Sequence, residues 1–303
     1  MHTPSWFKKE EVLVVNAETC GINKDGNAQY LVNPTTGMRS TQDIDDSLAE
    51  CCEAIANKDF SRKEIFYTDY NQMIQKDIYV PKFYDTKTLN GIHSLMKHLE
   101  GFSLKSLKEL LIDEAIVLFG GHGSPSSDQR LGTVPYIKVS DLRAGHVNIN
   151  PTNMVPIDLA KKFWSADNSG LKAYDLISPE RASKNIGEFC VLMPGQENAV
   201  FTKEVIVIRS INQSLFDQFY LMWALSLKEV REQWDRIVFM QTNREDVGKR
   251  MLEIKIPIPN NIETANKYSK NFKEYYNSLE ESRNIFIKSL KNSEFEHHIY
   301  LGN

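Results

Sequence analysis

Apolar and polar positions change period several times along the chain, and each change marks an element. Glu11–Asn16 (EVLVVN) is a β-branched run and Ala28–Val32 a second short one, so the two read as the strands of a hairpin. Between them Asp25-Gly26 supplies the positive φ that a tight turn needs, and Pro34-Thr35-Thr36-Gly37 closes the segment as another turn. Over residues 42–57 the period becomes helical: Ile44, Leu48, Cys51, Cys52 and Ile55 recur behind Asp43, Asp45 and Asp46, whose charge suits a helix N-terminus. Residues 64–67 (EIFY) predict a strand. A linker follows through Tyr79–Asp85, and Gly91 and Gly101 interrupt residues 86–103, which places a domain boundary near 85–103.

Residues 104–111 (LKSLKELL) predict a short amphipathic helix. The chain's most glycine- and serine-rich stretch, FGGHGSPSSDQRLG, occupies residues 119–132. Strand-like runs then recur at Val134–Val139, Ala173–Ile177, Phe189–Met193 and Val205–Arg209, separated by Gly, Pro and Asn clusters. Phe216–Leu227 predicts a helix with a wide apolar face. Leu252–Ile258 predicts a last extended piece, stopped by Pro257 and Pro259. Residues 262–291 contain neither Gly nor Pro and predict one long helix. Ala265, Tyr268, Phe272, Tyr275, Leu279 and Phe286 follow heptad steps along it, with Ser282 and Ser289 where the seam should continue. That pattern suits a short or antiparallel coiled coil, and equally a helix packed on its own domain. No internal repeat of about 20–50 residues is visible. The expected fold class is α+β.

Composition narrows the function classes. At 303 residues and about 100–200 per domain, two domains are expected. The net charge of −4 argues against a protein that coats nucleic acid through bulk charge. The acidity is uneven, since residues 1–100 hold 11 basic and 15 acidic side chains, whereas residues 120–250 hold 16 and 15. The four cysteines, Cys20, Cys51, Cys52 and Cys190, include no CxxC pair, and reduced thiols are expected. The start, MHTPSWFKKEEV, lacks the apolar core of a signal peptide, and no run approaches the ~20 apolar residues of a membrane span. A soluble, cytoplasmic protein with no membrane partner is the expectation.

Several chemistries are missing. Asn33-Pro34-Thr35-Thr36 starts like the Asn-Pro-Pro-aromatic motif that holds a flipped base, but two threonines replace the pocket-forming residues, leaving a turn. Gly120-Gly121-His122-Gly123 lacks the spacing of a dinucleotide or S-adenosylmethionine loop. Ser124 or His122 as an acyl-transfer catalyst would need a nucleophile elbow, and none is present. Glu253-Ile254-Lys255 matches half of a metal-dependent nuclease site, with Asp246 or Asp235 as partner. Alternation along Leu252–Ile256 explains the same residues as a strand's solvent face. No catalytic, metal or cofactor residue is therefore assigned.

Basic residues cluster instead with amides and hydroxyls: Lys138, Ser140 and Arg143 after a strand; Arg181 and Lys184 between two strands; Thr242, Asn243 and Arg244 beside a short helix. Arg and Asn read guanine and adenine edges bidentately, while Lys and Ser/Thr favour phosphates. These eight residues are the candidate DNA-binding set.

At Gly132–Leu142 (GTVPYIKVSDL) the sequence resembles the target recognition domain of restriction–modification specificity subunits, where a glycine loop leads into a similar strand. Further matches follow in the family's order: Tyr174–Ser178 with Arg181, Asn185–Phe189, Lys203–Arg209, Phe219–Leu225 and Ile254–Pro259. The resemblance covers roughly residues 103–292. Ala17–Asn27 followed by Asp45-Asp46 resembles the C-terminal edge of the type I/IIG DNA adenine methyltransferase domain, whose catalytic and cofactor motifs lie upstream of this stretch.

The resemblance implies a methyltransferase-like segment at 1–102, a mixed-sheet recognition domain at 103–260 and a spacer helix at 261–303. It implies sequence-specific recognition of double-stranded DNA, one half of a bipartite site, for a restriction–modification system. The implied partners are duplex DNA, a DNA methyltransferase that carries S-adenosylmethionine, and a second copy met through residues 262–291. Two alternatives stand beside it. One is the C-terminal part of an adenine methyltransferase that acts only with its upstream half. The other is a protein-interaction module.

Overall fold

The computed structural model describes residues 11–181, 185–239, 247–297 and 299, with the side chain of Thr88 set aside. The fold is mixed α+β and divides into two compact units, residues 1–86 and 87–303.

In the first unit Glu11–Val15 pairs antiparallel with Ile65–Asp69, and not with Ala28–Val32 as the hairpin reading expected. This pairing packs Leu13, Val15 and Ile65 against Cys51 and Ala54 of the helix Ser47–Ala56, an apolar gain that a local hairpin could not offer. Tyr30–Val32 pairs instead with Arg39–Ile44. Asn33 shapes their turn, its Oδ1 accepting from the amides of Thr35 (2.9 Å) and Thr36 (3.0 Å). The acidic pair has local structural work: the Asp45 carboxylate accepts from the Thr19 hydroxyl (2.7 Å), and Asp46 caps the helix through the Ala49 amide (2.9 Å).

The second unit is built around a six-stranded mixed sheet. Its strands, in spatial order, are Ile116–Gly120, Val205–Ser210, Leu176–Pro179, Cys190–Val191, His146–Val147 and Leu142–Arg143. Val205–Ile208 is apolar at every position, so both of its faces must be covered, and it lies inside the sheet. Val205 and Val207 pack into the cluster with Ile137, Ile177 and Phe201. A second sheet, Met154–Val155, Val134–Ile137 and Val200–Phe201, lies on that side. Its outer face is sealed by Trp164 and Ala160 of the helix Ile157–Trp164. The strand predicted at Ala173–Ile177 begins only at Leu176, because Tyr174 takes the left-handed conformation (φ 68°) and breaks the extended run.

The stretch read as a helix at 104–111 is two elements: a strand, Phe102–Ser106, and a helix, Leu107–Ile112. Ser106 and Glu109 form a reciprocal capping box that starts the helix there. Phe102–Ser106 pairs antiparallel with Lys255–Pro259, so the start and finish of this segment are zipped together. Glu253 belongs to the 3-10 helix Gly248–Glu253 and not to the strand face expected for it.

The long helix runs over Ile262–Lys291, with Asn261 capping the Thr264 amide (2.8 Å). Its first half packs on the buried helix Gln218–Ser226, through Trp223–Tyr268 and Phe219–Tyr276 ring contacts at 4.8 and 6.2 Å. The heptad seam thus splits: Ala265 is buried and Phe272 partly so, whereas Tyr275, Leu279 and Phe286 are exposed.

Two devices lock this unit. Arg209 grips Asp175 with two bonds of 2.6 Å and also donates to the Gly170 carbonyl (2.9 Å). The Asp175 side chain is 1% exposed, so its charge depends on this clamp. Gly187 has φ 73°, and a Cβ there would stand 2.5 Å from the Trp234 ring. Arg209→Met, which leaves the Asp175 carboxylate buried and unpaired, should lower the unfolding free energy by about 3–5 kcal/mol. Chemical denaturation of the two proteins measures it, and a change below about 0.5 kcal/mol, the size of an ordinary surface substitution, would contradict the role given to the pair.

Candidate nucleic-acid interface

Strand register decides which connections share an end of the main sheet. Val205 is level with Pro179, and the antiparallel neighbour Ile116–Gly120 finishes at that level, with Gly120 opposite Ile206. Ile177 is opposite Cys190, and Val191 is level with His146 in parallel pairing, so the Ala144-Gly145 turn points to the same end. Thr202 donates to the Ile137 carbonyl (2.9 Å), which sets Lys138 beside the Thr202–Glu204 connection into Val205. One sheet end therefore gathers the glycine–serine loop after Gly120, Lys138, Arg143, Glu180–Arg181 and Lys203. Val247 donates to the Glu180 carbonyl (3.1 Å) and joins the same group.

The candidates differ in how free they are. Lys138 is half-buried, with its amide donating to the Asp141 carboxylate (2.8 Å) as a short turn begins. Ser140 is exposed, its hydroxyl donating to Asp141 (3.3 Å). Arg143 is exposed, and its Nε donates to the Ser140 carbonyl (2.8 Å), which aims the guanidinium without neutralising it. Arg181 is tied to Glu204 by an ion pair of 2.7 Å, with its side chain 23% exposed. Lys184, Thr242, Asn243 and Arg244 lie outside the described residues.

Two further cations carry no local sequence signal of a site, Lys203 at this end and Arg130 over the smaller sheet. Lys203 is exposed between two buried strands, a contrast visible in the sequence as a lone charge between apolar runs. Arg130 lies over the Tyr136 ring at 5.1 Å, held by two bonds to the Pro125 carbonyl (3.3 and 3.0 Å).

The glycine loop is structural. A Cβ on Gly121 would stand 1.9 Å from the Thr202 carbonyl oxygen, so only glycine lets these backbones meet. His122 is pinned by both ring nitrogens: Nδ1 accepts from the Phe201 amide (3.0 Å) and Nε2 donates to the Ser169 carbonyl (2.9 Å). Each partner fixes one role, so the ring is the neutral Nε2–H tautomer. Burial holds its pKa below the ordinary value, against a smaller pull upward from the Ser169 carbonyl. Ser124 bonds the Thr202 hydroxyl (3.1 Å) and so braces the same loop.

The nuclease half-motif is likewise engaged elsewhere. Glu253 pairs with Arg236 (2.8 Å), and the Lys255 amide donates to Gln233 (2.9 Å). Asp246 lies outside the described residues. Among the described residues no cluster of three His, Cys, Asp or Glu side chains could hold a metal ion, and no helix is long and apolar enough to cross a membrane.

No protein-family model and no curated protein matches the sequence. Solved structures give likenesses at low identity. A chain from a structure of the type I R-M system, concerned with its complex assembly and conformational transition, aligns at 15% identity and TM-score 0.40, over 80% of this chain and 55% of that one. The HsdS subunit from Thermoanaerobacter tengcongensis aligns at 15% identity and TM-score 0.36, over 60% and 40%. The type I restriction-modification S subunit from M. genitalium aligns at 14% and 0.35, over 72% and 52%. The chain spans about half the length of these structures.

His122 gives the fold a testable pH dependence. With a depressed pKa in the folded chain, the unfolded chain takes up the proton first. The ring's contribution is complete above about pH 6.5, the ordinary histidine value, and is lost as pH falls from there through the folded pKa. Half-buried His146, whose ring Nε2 meets the Tyr275 hydroxyl (2.8 Å), is also depressed by burial and adds a term of the same sign. Urea unfolding between pH 7.5 and 4.5 should show His122→Gln losing less stability on acidification than the parent chain. Equal losses would contradict the pinned neutral ring.

Proposed function

We propose that this chain recognises double-stranded DNA in a sequence-specific manner, as the half-site specificity component of a restriction–modification system. The observation that carries this reading is the convergence of Lys138, Arg143, Arg181 and Lys203 with a glycine–serine loop at one end of a rigid sheet. Loops on such a scaffold can enter a major groove, with Arg143 offering a bidentate fork to a base edge and Lys138 and Ser140 set for phosphates. Lys184, Thr242, Asn243 and Arg244 complete the proposed contact set by residue type. Arg181 contributes on exchanging Glu204 for a phosphate or base, so Glu204 sets a threshold for its use.

Near-neutral charge over residues 120–250 fits this mechanism. Affinity must come from a few placed contacts, which favours a specific site over indiscriminate binding. The six motifs in family order support the same reading. One recognition domain reads half of a bipartite site, and a second copy completes it. The exposed stripe Tyr275, Leu279, Ile285 and Phe286 on the long helix offers a seam for that copy or for the methyltransferase. In this reading the methyltransferase brings S-adenosylmethionine, residues 1–102 resemble its C-terminal edge, and the complex works in the cytoplasm.

Selection from randomised duplexes, with the chain alone and with its methyltransferase, should enrich one short motif. On that motif, Arg143→Ala should weaken binding by about 1–3 kcal/mol, and Lys138→Ala should reduce the salt slope by about one contact. Enrichment of no motif, or full affinity in Arg143→Ala, would overturn the assignment.

A further inference from the structure

The Arg181–Glu204 pair stands at the sheet end that gathers the proposed DNA contacts, and backbone fixes both halves. Pro179 is level with Val205, and the Glu180 amide donates to the Glu204 carbonyl (2.9 Å), so the residues flanking these strand ends are held side by side. Arg181 Nη1 donates to Glu204 Oε1 at 2.7 Å. Each side chain keeps part of its surface in water, 23% for Arg181 and 25% for Glu204. An ion pair this exposed adds little to stability. A surface built only to hold phosphates would do better without the carboxylate, since its charge opposes theirs.

What Arg181 meets on leaving Glu204 decides what becomes of that carboxylate. A phosphate takes the guanidinium, brings a second negative charge beside Glu204 and offers it no donor, so the exchange loses on both counts. A guanine–cytosine pair is different. Guanine O6 and N7 accept both arms of the guanidinium, and the partner cytosine turns its N4 amino donor into the same groove. O6 and N4 are hydrogen-bonded to each other across the pair, so they lie about 2.9 Å apart. That spacing is close to the 2.7 Å between Nη1 and Oε1. Donor then faces acceptor and acceptor faces donor in one step, and neither charge is left unpaired. A thymine–adenine pair gives the guanidinium a single acceptor, O4, beside a methyl group. A reversed pair, with cytosine opposite Arg181, sets donor against donor and acceptor against acceptor.

We infer that Arg181 and Glu204 together read one guanine–cytosine pair in the major groove, in a fixed orientation, with guanine on Arg181 and cytosine on Glu204. This rests on the DNA-recognition reading and narrows it: Arg181 goes to a base and not to a phosphate, and Glu204 is a specificity-determining contact in its own right. The carboxylate turns phosphate away and accepts from cytosine N4. The backbone bond between Glu180 and Glu204 keeps donor and acceptor in one order, which reading an orientation requires.

The test starts from the motif that the full chain, with its methyltransferase, selects from randomised duplexes. At one position of that motif, reversing guanine–cytosine to cytosine–guanine should weaken binding at least ~5-fold in competition anisotropy, the lower bound for a bidentate contact. Exchanging the charges, Arg181→Glu together with Glu204→Arg, keeps an ion pair in place and should invert the preference at that position while the rest of the motif stays the same. Glu204→Gln is a gentler second variant whose amide offers both a donor and an acceptor. It should bind unrelated duplex more tightly than the parent chain and separate the two orientations by less than ~2-fold. A pair with a structural role alone would leave the motif unchanged in both variants. Selection that enriches no motif would sink the DNA reading and the pair's role with it. An enriched motif in which no guanine–cytosine position responds to either variant, or a preference that Glu204→Gln leaves intact, would overturn the pair's role alone.

Discussion

Everything in the second unit follows from the need to bury one strand on both faces. Val205–Ile208 offers no polar position to water, so it must lie inside a sheet with cover above and below. Ile116–Gly120 and Leu176–Pro179 flank it. Alternation then sends Val205 and Val207 towards the smaller sheet and Ile206 and Ile208 towards the opposite layer. Once that register is set, the ends of six strands are set as well, and loops far apart in sequence arrive together. Arg209, the strand's one charged residue, is made tolerable by Asp175, and the pair in turn fixes the Gly170–Asp175 connection.

The long helix connects this scaffold to its proposed use. Tyr276 holds the Gly145 carbonyl, Arg283 donates to the Pro194 carbonyl (2.9 Å), and the Tyr174 hydroxyl bonds the Glu280 carboxylate. Burial, followed by that carboxylate, pushes the Tyr174 phenol up to about 12, so it stays a donor at any physiological pH. The turn that presents Arg143 is therefore backed by a rigid element, as a recognition site requires. The same helix turns a second, apolar stripe outward. The first half of the heptad seam is spent on the helix's own domain, while the second half is available to a partner.

Much of the fold was legible because apolar periodicity is local. The absence of Gly and Pro over 262–291 marks the long helix Ile262–Lys291, and the unbroken apolar run in Val205–Arg209 marks the core strand Val205–Ser210. Pairing was less legible, because it is decided by distant surface. Glu11–Val15 looked for its partner in the nearest strand, yet the apolar gain lay some 50 residues on, at Ile65–Asp69. Leu104–Leu111 concealed a boundary that the Ser106–Glu109 capping box marks in the sequence itself. At the candidate site, residue type pointed to Arg143 and the structure leaves it exposed. Nothing near Arg181 in sequence announces Glu204, 23 residues away, which the strand register brings alongside.

The central claim is that one end of the main sheet faces DNA. Hydrogen–deuterium exchange of the full chain, with and without duplex DNA at low salt, tests it most directly. The account predicts slowed exchange over residues 121–133, 143–146 and 180–188, with residues 192–197 at the opposite end unchanged. Protection confined to that opposite end, or none anywhere at saturating duplex, would contradict it.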